Sequence, residues 1–178
     1  YYQKITDIYS ECSSDYDKDS EQTQLFFKTV QNIMHYAVIK QTAAEIIYDR
    51  ADAERPHMGL TSWKNAPDGW VVKSDVTVAR NYLSEKEIDS LNRLSNAFID
   101  IAEQRAEDQI LMTMADWSAL LQRYMDLNNR PLLPNTGRVT HEQAVEKALT
   151  EYDKFRVIQD REIMSDFDKQ LKLLFDKK

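Results

Sequence analysis

The sequence predicts an all-α domain: a multi-helix bundle with a long C-terminal helix and a small β-hairpin or ordered loop inserted around residues 56–73. Three observations carry this reading. Only three glycines and four prolines punctuate 178 residues, which leaves little material for the turns a sheet needs. Four times a Ser or Thr followed three residues later by Glu, Gln or Asp stands before an apolar-periodic segment, at the spacing with which side chain and backbone cap a helix N-terminus reciprocally. Apolar residues then repeat by threes and fours after these boxes, as one face of a helix requires.

The first predicted helix follows Asp19 or Ser20. Its stripe of Phe26, Val30, Ile33 and Ala37, with Phe27 and Met34 beside it, is wide enough to need burial from two directions and marks the central helix. Thr42 with Glu45 opens a helix towards Glu54, and Ser84 with Glu87 opens one towards Gln109. The latter carries Ile88, Leu91, Ser95, Phe98, Ala102 and Ala106 on one face, with charges elsewhere. Thr113 with Asp116 opens a shorter helix holding Trp117, Leu120, Leu121 and Tyr124, and NNRPLLPNTG ends it. In TSWKNAPDGWVVK, the turn residues Pro67, Asp68 and Gly69 separate two short β-capable runs.

Thr140 with Gln143 opens the last helix. No Pro or Gly follows, and Val145, Ala148, Tyr152, Phe155, Gln159, Ile163, Phe167, Leu171 and Leu174 keep helical spacing. One helix of up to about 38 residues, roughly 57 Å long, results. A single domain of this size is shorter than that. Either the helix breaks between Gln159 and Ser165, or its far end packs on something outside the domain. Ile163, Phe167, Leu171 and Leu174 are therefore the candidate interaction surface, because monomeric proteins rarely leave a contiguous apolar stripe in water.

Composition bounds the function. With 42% hydrophobic and 30% charged residues, the chain is globular rather than disordered, and one domain is the default at this length. No apolar run is long enough to span a bilayer, and YYQKITDIYS lacks the basic start of a signal peptide. The chain reads as soluble and cytoplasmic, with no membrane partner. Its single cysteine, Cys12, cannot form an internal disulfide and has no basic neighbour to stabilise a thiolate. A net charge of −7 argues against direct nucleic-acid binding by this region.

Several motifs suggest chemistry and fail on detail. Asp15, Asp17 and Asp19 alternate like the opening of a calcium loop, but Ser20 and Phe26 stand where the turn glycine and the closing glutamate belong. These carboxylates instead suit a helix N-terminus. His35 and His141 have no second His or Cys at ligand spacing, so neither a metal nor another cofactor is expected, and His35 reads as a hydrogen-bonded core histidine. No phosphate-binding glycine loop and no GxSxG occurs.

What remains is TAAEIIYDRADAERPHMGLTSW. Glu45, Arg50, Asp52 and His57 form its candidate polar site. Arg50 and His57 are spaced like the Arg and His of some all-helical ribonucleases, but Pro56 stands between them and ends any common helical face. The same residues also fit a solvated helix face, with Glu45 capping, Arg50 pairing with Glu54 and Arg55 with Asp52. Against that, the connection from Arg55 to Lys73 is long, and connections of that length generally carry function or are disordered. Met58, Leu60, Trp63 and Trp70 favour an ordered loop that packs on the helices and holds Glu45, Arg50 and Asp52 beside a concave edge.

FFKTVQNIMHYA, QTAAEIIYDRADAERPHMGLTSW, SDVTVARNYLSEKEIDSLNRL, MTMADW and EYDKFRVIQD, in this order, resemble the virulence-associated RhuM protein family of bacteria over essentially the whole chain. The resemblance implies association with pathogenicity islands and mobile elements rather than a defined reaction. Family members usually carry a preceding segment similar to phage-type DNA-binding domains, and this chain begins at YYQKITD without it. Some related proteins carry a Fic-type AMP-transfer motif, which has no counterpart here. The resemblance thus implies an interaction or oligomerisation domain, partnered by a second copy or by its own N-terminal domain. The alternative is a toxin-like nuclease using Glu45, Arg50, Asp52 and His57.

Overall fold

A computed structural model describes residues 7, 9–10, 13–132, 137–162, 168 and 171. Five α-helices appear among them: α1 (Glu21–Ile39), α2 (Ala43–Arg50), α3 (Glu85–Glu107), α4 (Met114–Leu127) and α5 (His141–Glu162). The described residues contain no strand, only an isolated parallel bridge between Ser13 and Met112. The fold is all-α, as the sequence predicts. The chain divides into two compact units, one of residues 1–43 and 84–138, the other of residues 44–83 and 139–178.

In the first unit α1 packs against both α3 and α4, the two-sided burial its wide stripe demands. Ser20 is its N-cap, accepting from the Thr23 N–H. The capping boxes of α3 (Ser84, Glu87) and α4 (Thr113, Asp116) close reciprocally. Tyr9, Phe26, Phe27 and Trp117 form an aromatic cluster, with Tyr9 4.7 Å from Trp117 and 5.1 Å from Phe26 between ring centroids. The buried Trp117 indole donates to the Ser13 hydroxyl at 2.8 Å. Tyr124 donates to the Leu94 carbonyl at 2.9 Å and ties α4 to α3. One carboxylate of the acidic run serves a helix N-terminus, as expected, though not that of the helix it precedes. Asp15 accepts from the Met114 N–H at 3.0 Å, so it serves the N-terminus of α4, where a carboxylate is favourable. His35 is buried, and its Nδ1 lies 2.8 Å from the Gln31 carbonyl.

The second unit consists of α2, the segment Ala51–Leu83 and α5. Two expectations are corrected here. The Thr42 segment stops at Arg50 and does not reach Glu54. The Ala51 N–H still bonds the Ile47 carbonyl, but the next donor, on Asp52, turns to the Met58 carbonyl, and the helix ends. A β-hairpin around Pro67–Gly69 also does not form: the insertion is the ordered loop. Ala66 and Gly69 donate back to Trp63 and Asn65, so the chain coils between the two runs and no cross-strand ladder develops. Ala66–Pro67 is a cis peptide.

Thr140 and Gln143 cap α5 reciprocally, at 2.9 and 3.2 Å. The helix is continuous through Glu162, so Gln159 does not interrupt it. Its buried face is Ala144, Ala148, Glu151, Phe155 and Gln159, which keeps Ala148, Phe155 and Gln159 of the predicted stripe and has Ala144 and Glu151 in place of their neighbours Val145 and Tyr152. Glu151 is charged, so a search for apolar residues passes over it in favour of Tyr152. Cys12, Ile163, Phe167 and Leu174 lie outside the described residues, and Leu171 is half-buried.

Candidate functional site

The loop from Ala51 to Leu83 is long and, beyond two short 3-10 turns at Pro56–Gly59 and Ala79–Tyr82 and scattered backbone bonds, has no repeating ladder, so side chains supply much of its order. It sinks Met58, Leu60, Val71, Val76, Tyr82 and Leu83 into the core of the second unit. The tryptophans do less. Trp63 is half-buried and Trp70 is 41% exposed.

Polar side chains then supply what a sheet would have supplied. Glu151 on α5 accepts the Ala53 N–H at 3.0 Å and the Lys147 and Lys154 ammonium groups at 2.8 and 2.9 Å. Hydrogen bonding from Lys147, then from Ala53 and Lys154, holds its carboxyl down at about 2. Eight residues along, the Gln159 amide meets Val71 at both backbone groups. Asp75 is the third organiser. Its two carboxylate oxygens accept from Lys64 and Val72 N–H groups at 3.1 and 2.9 Å, and it is buried. The Asn81 amide donates to the Asp75 carbonyl. The Tyr82 hydroxyl donates to the Val76 carbonyl, and burial pushes its pKa upward.

All four candidate polar residues lie on α2 and the start of this loop. Glu45 is buried rather than on a solvated face. Arg50 does not meet Glu54; its Nη1 donates to the Tyr82 carbonyl at 2.9 Å and joins the end of α2 to the end of the loop. Asp52 pairs with Arg55 at 3.4 Å, the i and i+3 contact expected, and its Oδ1 accepts from the Glu54 N–H. Its own N–H donates to the Met58 carbonyl, which brings Asp52 beside the turn Pro56–Gly59 that holds His57. His57 is exposed and stacks on Trp63 with centroids 4.3 Å apart. The Trp63 indole donates to the Gly69 carbonyl at 2.8 Å.

That turn, Pro56–Gly59, is strained. His57, Met58 and Gly59 all have left-handed dihedrals, with φ of 50°, 62° and 81°. L-residues with side chains avoid this region at roughly 1–2 kcal/mol each. Glycine is required at the third position, because a Cβ there would stand 2.4 Å from the Arg50 carbonyl oxygen. The turn is kept by the full burial of Met58 and by the Asp52 and Leu60 N–H bonds around it.

A model of the virulence protein RhuM family matches residues 1–164. The chain belongs to that family. No curated protein and no solved structure matches it. Membership makes the RhuM chain a virulence-associated protein. No helix among its described residues is long and apolar enough to cross a membrane.

Sequence reasoning missed Asp75, Glu151 and Gln159 as organisers of the RhuM loop. Gln159 left a trace, a polar residue at an otherwise apolar helical position. Glu151 and Asp75 look like any surface carboxylate until the fold buries them.

Proposed function

We propose that this RhuM-family region is an interaction module that self-associates, and that in the whole protein it accompanies a DNA-binding part. The observation that carries the reading is an apolar surface beside the loop anchor. Trp70 is 41% exposed and Ile158 38% exposed. They directly precede Val71 and Gln159, which are hydrogen-bonded to each other, so both stand on adjoining backbone. Val157 adds a side chain that is 53% exposed on the outer face of α5. Large aromatic and aliphatic side chains left in water beside a rigid junction are typical anchors of a protein interface. Symmetric pairing is the commonest way to cover such a surface. The net charge of −7 supports a protein rather than a nucleic-acid partner for this region.

Sedimentation at micromolar concentration tests this. The expected result is a dimer that becomes a monomer when Trp70 and Ile158 are both changed to Lys. A chain that is monomeric at the outset overturns it. The stripe of Ile163, Phe167, Leu171 and Leu174 is tested in the same way by changing Phe167 and Leu171 to Glu.

The strained turn favours a second reading, an enzyme of the nuclease class using Glu45, Arg50, Asp52 and His57, because stored backbone strain clusters at functional sites. Against it, Arg50 is engaged by Tyr82, Asp52 by Arg55 and His57 by Trp63. Single-stranded RNA and DNA left uncut by the native chain would dismiss the enzyme; cleavage abolished by His57→Ala would establish it.

A further inference from the structure

The first unit carries a surface that nothing above uses. Beside the end of α3 and along α4 lies a cleft of about 270 Å3, lined by Arg105, Ile110, Leu111, Asp116, Leu120 and Arg123. Among the described residues its two cations are only weakly engaged. Arg105 rests its Nη1 on the Met112 sulfur at 3.8 Å, a weak acceptor. The carboxylate lining the cleft is already engaged, since Asp116 accepts both the N–H and the hydroxyl of Thr113 at 2.9 and 2.7 Å. Those bonds hold its pKa below the ordinary value, with the Arg123 charge a smaller contributor. Arg123 thus feels the Asp116 field without replacing Thr113 as its partner.

The rest of the lining is apolar and fixed. Leu111 is 72% exposed and Ile110 40%, yet the segment that carries them is anchored. Ile110 N–H bonds the Arg105 carbonyl, and Ser14 N–H bonds the Met112 carbonyl at 3.0 Å. Two guanidinium groups therefore flank two aliphatic side chains that stand in water on a held backbone.

We propose that this cleft docks an acidic peptide segment of a partner protein, one in which a carboxylate stands next to an aliphatic side chain. The guanidinium fork matches a carboxylate with two parallel charge-assisted hydrogen bonds, and the neighbouring aliphatic group would cover Leu111 and Ile110. The volume takes one or two side chains, so the occupant is a short linear segment. Charge complementarity sets its sign. On a chain of net charge −7, a lining in which Arg105 and Arg123 outnumber Asp116 is a local reversal, so an acidic segment is attracted here and repelled elsewhere, which fixes its register. The surface lies in the other unit from the one proposed for self-association and needs a different partner, so each can fail alone.

The test is fluorescence anisotropy with a labelled peptide of alternating Asp and Leu, its Asn/Leu counterpart, and inorganic phosphate as competitor. The Asp/Leu peptide should bind, and the Asn/Leu peptide should bind at least about tenfold more weakly. Arg105→Gln, Arg123→Gln and Leu111→Ser should each weaken binding by about tenfold, and added salt should weaken it further. Arg105→Lys and Arg123→Lys, which keep the charge but lose the fork, should fall between native and Gln. Circular dichroism verifies that each variant is folded. Equal affinity for the two peptides, or none for either, overturns the proposal. So does binding that phosphate displaces while Leu111→Ser leaves it unchanged, which would mean a bare anion site.

Discussion

The side-chain amide of Gln159 and the backbone of Val71 form a closed pair: Val71 N–H donates to Oε1 at 2.8 Å, and Nε2 donates to the Val71 carbonyl at 3.2 Å. Both residues are buried. One glutamine thus does for a loop what a neighbouring strand does for a residue in a sheet, because a primary amide presents a donor and an acceptor side by side. Without it two backbone groups would be buried without partners, at about 1–3 kcal/mol each.

Replacement of Gln159 by Leu is therefore expected to cost about 2–4 kcal/mol of stability, more than an exposed glutamine would. Gln159→Glu keeps the acceptor but sets a buried carboxylate against the Val71 carbonyl, and at neutral pH should cost at least as much as Leu. Urea unfolding measures both. A Leu variant as stable as the native chain would show that the pair contributes nothing.

Glu151 makes the second unit sensitive to acid. Its folded pKa, about 2, lies below the ordinary 4.5. Its contribution is therefore complete above roughly pH 5 and is lost as pH falls from 4.5 towards 2. Glu151→Gln should lower stability at neutral pH and flatten the decline over that window. Parallel pH profiles for the two proteins would refute the assignment.

Gly59→Ala places a methyl group 2.4 Å from a backbone oxygen at a φ of 81°. The left-handed backbone alone costs about 1–2 kcal/mol, and the overlap adds to it because a backbone oxygen cannot swing aside as a side chain does. An unchanged thermal midpoint would mean the turn is not held as described.

The hydroxyl of Tyr124 is a smaller matter. Tyr124→Phe removes its bond to the Leu94 carbonyl but leaves the ring packed on Phe98, 5.6 Å away between centroids. A loss of about 0.5–1.5 kcal/mol is expected. A loss several times larger would indicate that the ring also shifts, which near-ultraviolet circular dichroism would detect.

The helices were legible because their signals are local. A hydroxyl three residues before a carboxylate or amide, placed just ahead of an apolar-periodic run, caps a helix without help from distant residues, and Ser84, Thr113 and Thr140 all do so. The Asp52–Arg55 pair was legible for the same reason. The loop was not, because its order depends on partners far along the chain: Ala53 on Glu151 and Val71 on Gln159. The end of α2 was hidden too, since only the left-handed turn at His57–Gly59 brings the Met58 carbonyl back to the Asp52 N–H. Within the candidate stretch Asp52 pairs with Arg55 as expected, and two other contacts differ. Arg50 meets a backbone carbonyl rather than Glu54, and Glu45 faces inward.

Both units are assembled from separated stretches of chain, and the second needs residues 44–83 together with residues from 139 onward. During synthesis the first unit has all its residues once Arg138 has emerged. At that moment the Ala53 and Val71 N–H groups still lack the partners supplied by Glu151 and Gln159. Twenty-one residues separate Arg138 from Gln159 (159 − 138), an interval of roughly one to four seconds at about 5–20 residues per second. Through that interval the loop waits with Met58, Val71 and Val76 uncovered. A nascent chain halted there is a natural substrate for chaperones, and of the two units the second is the later to become resistant to proteases.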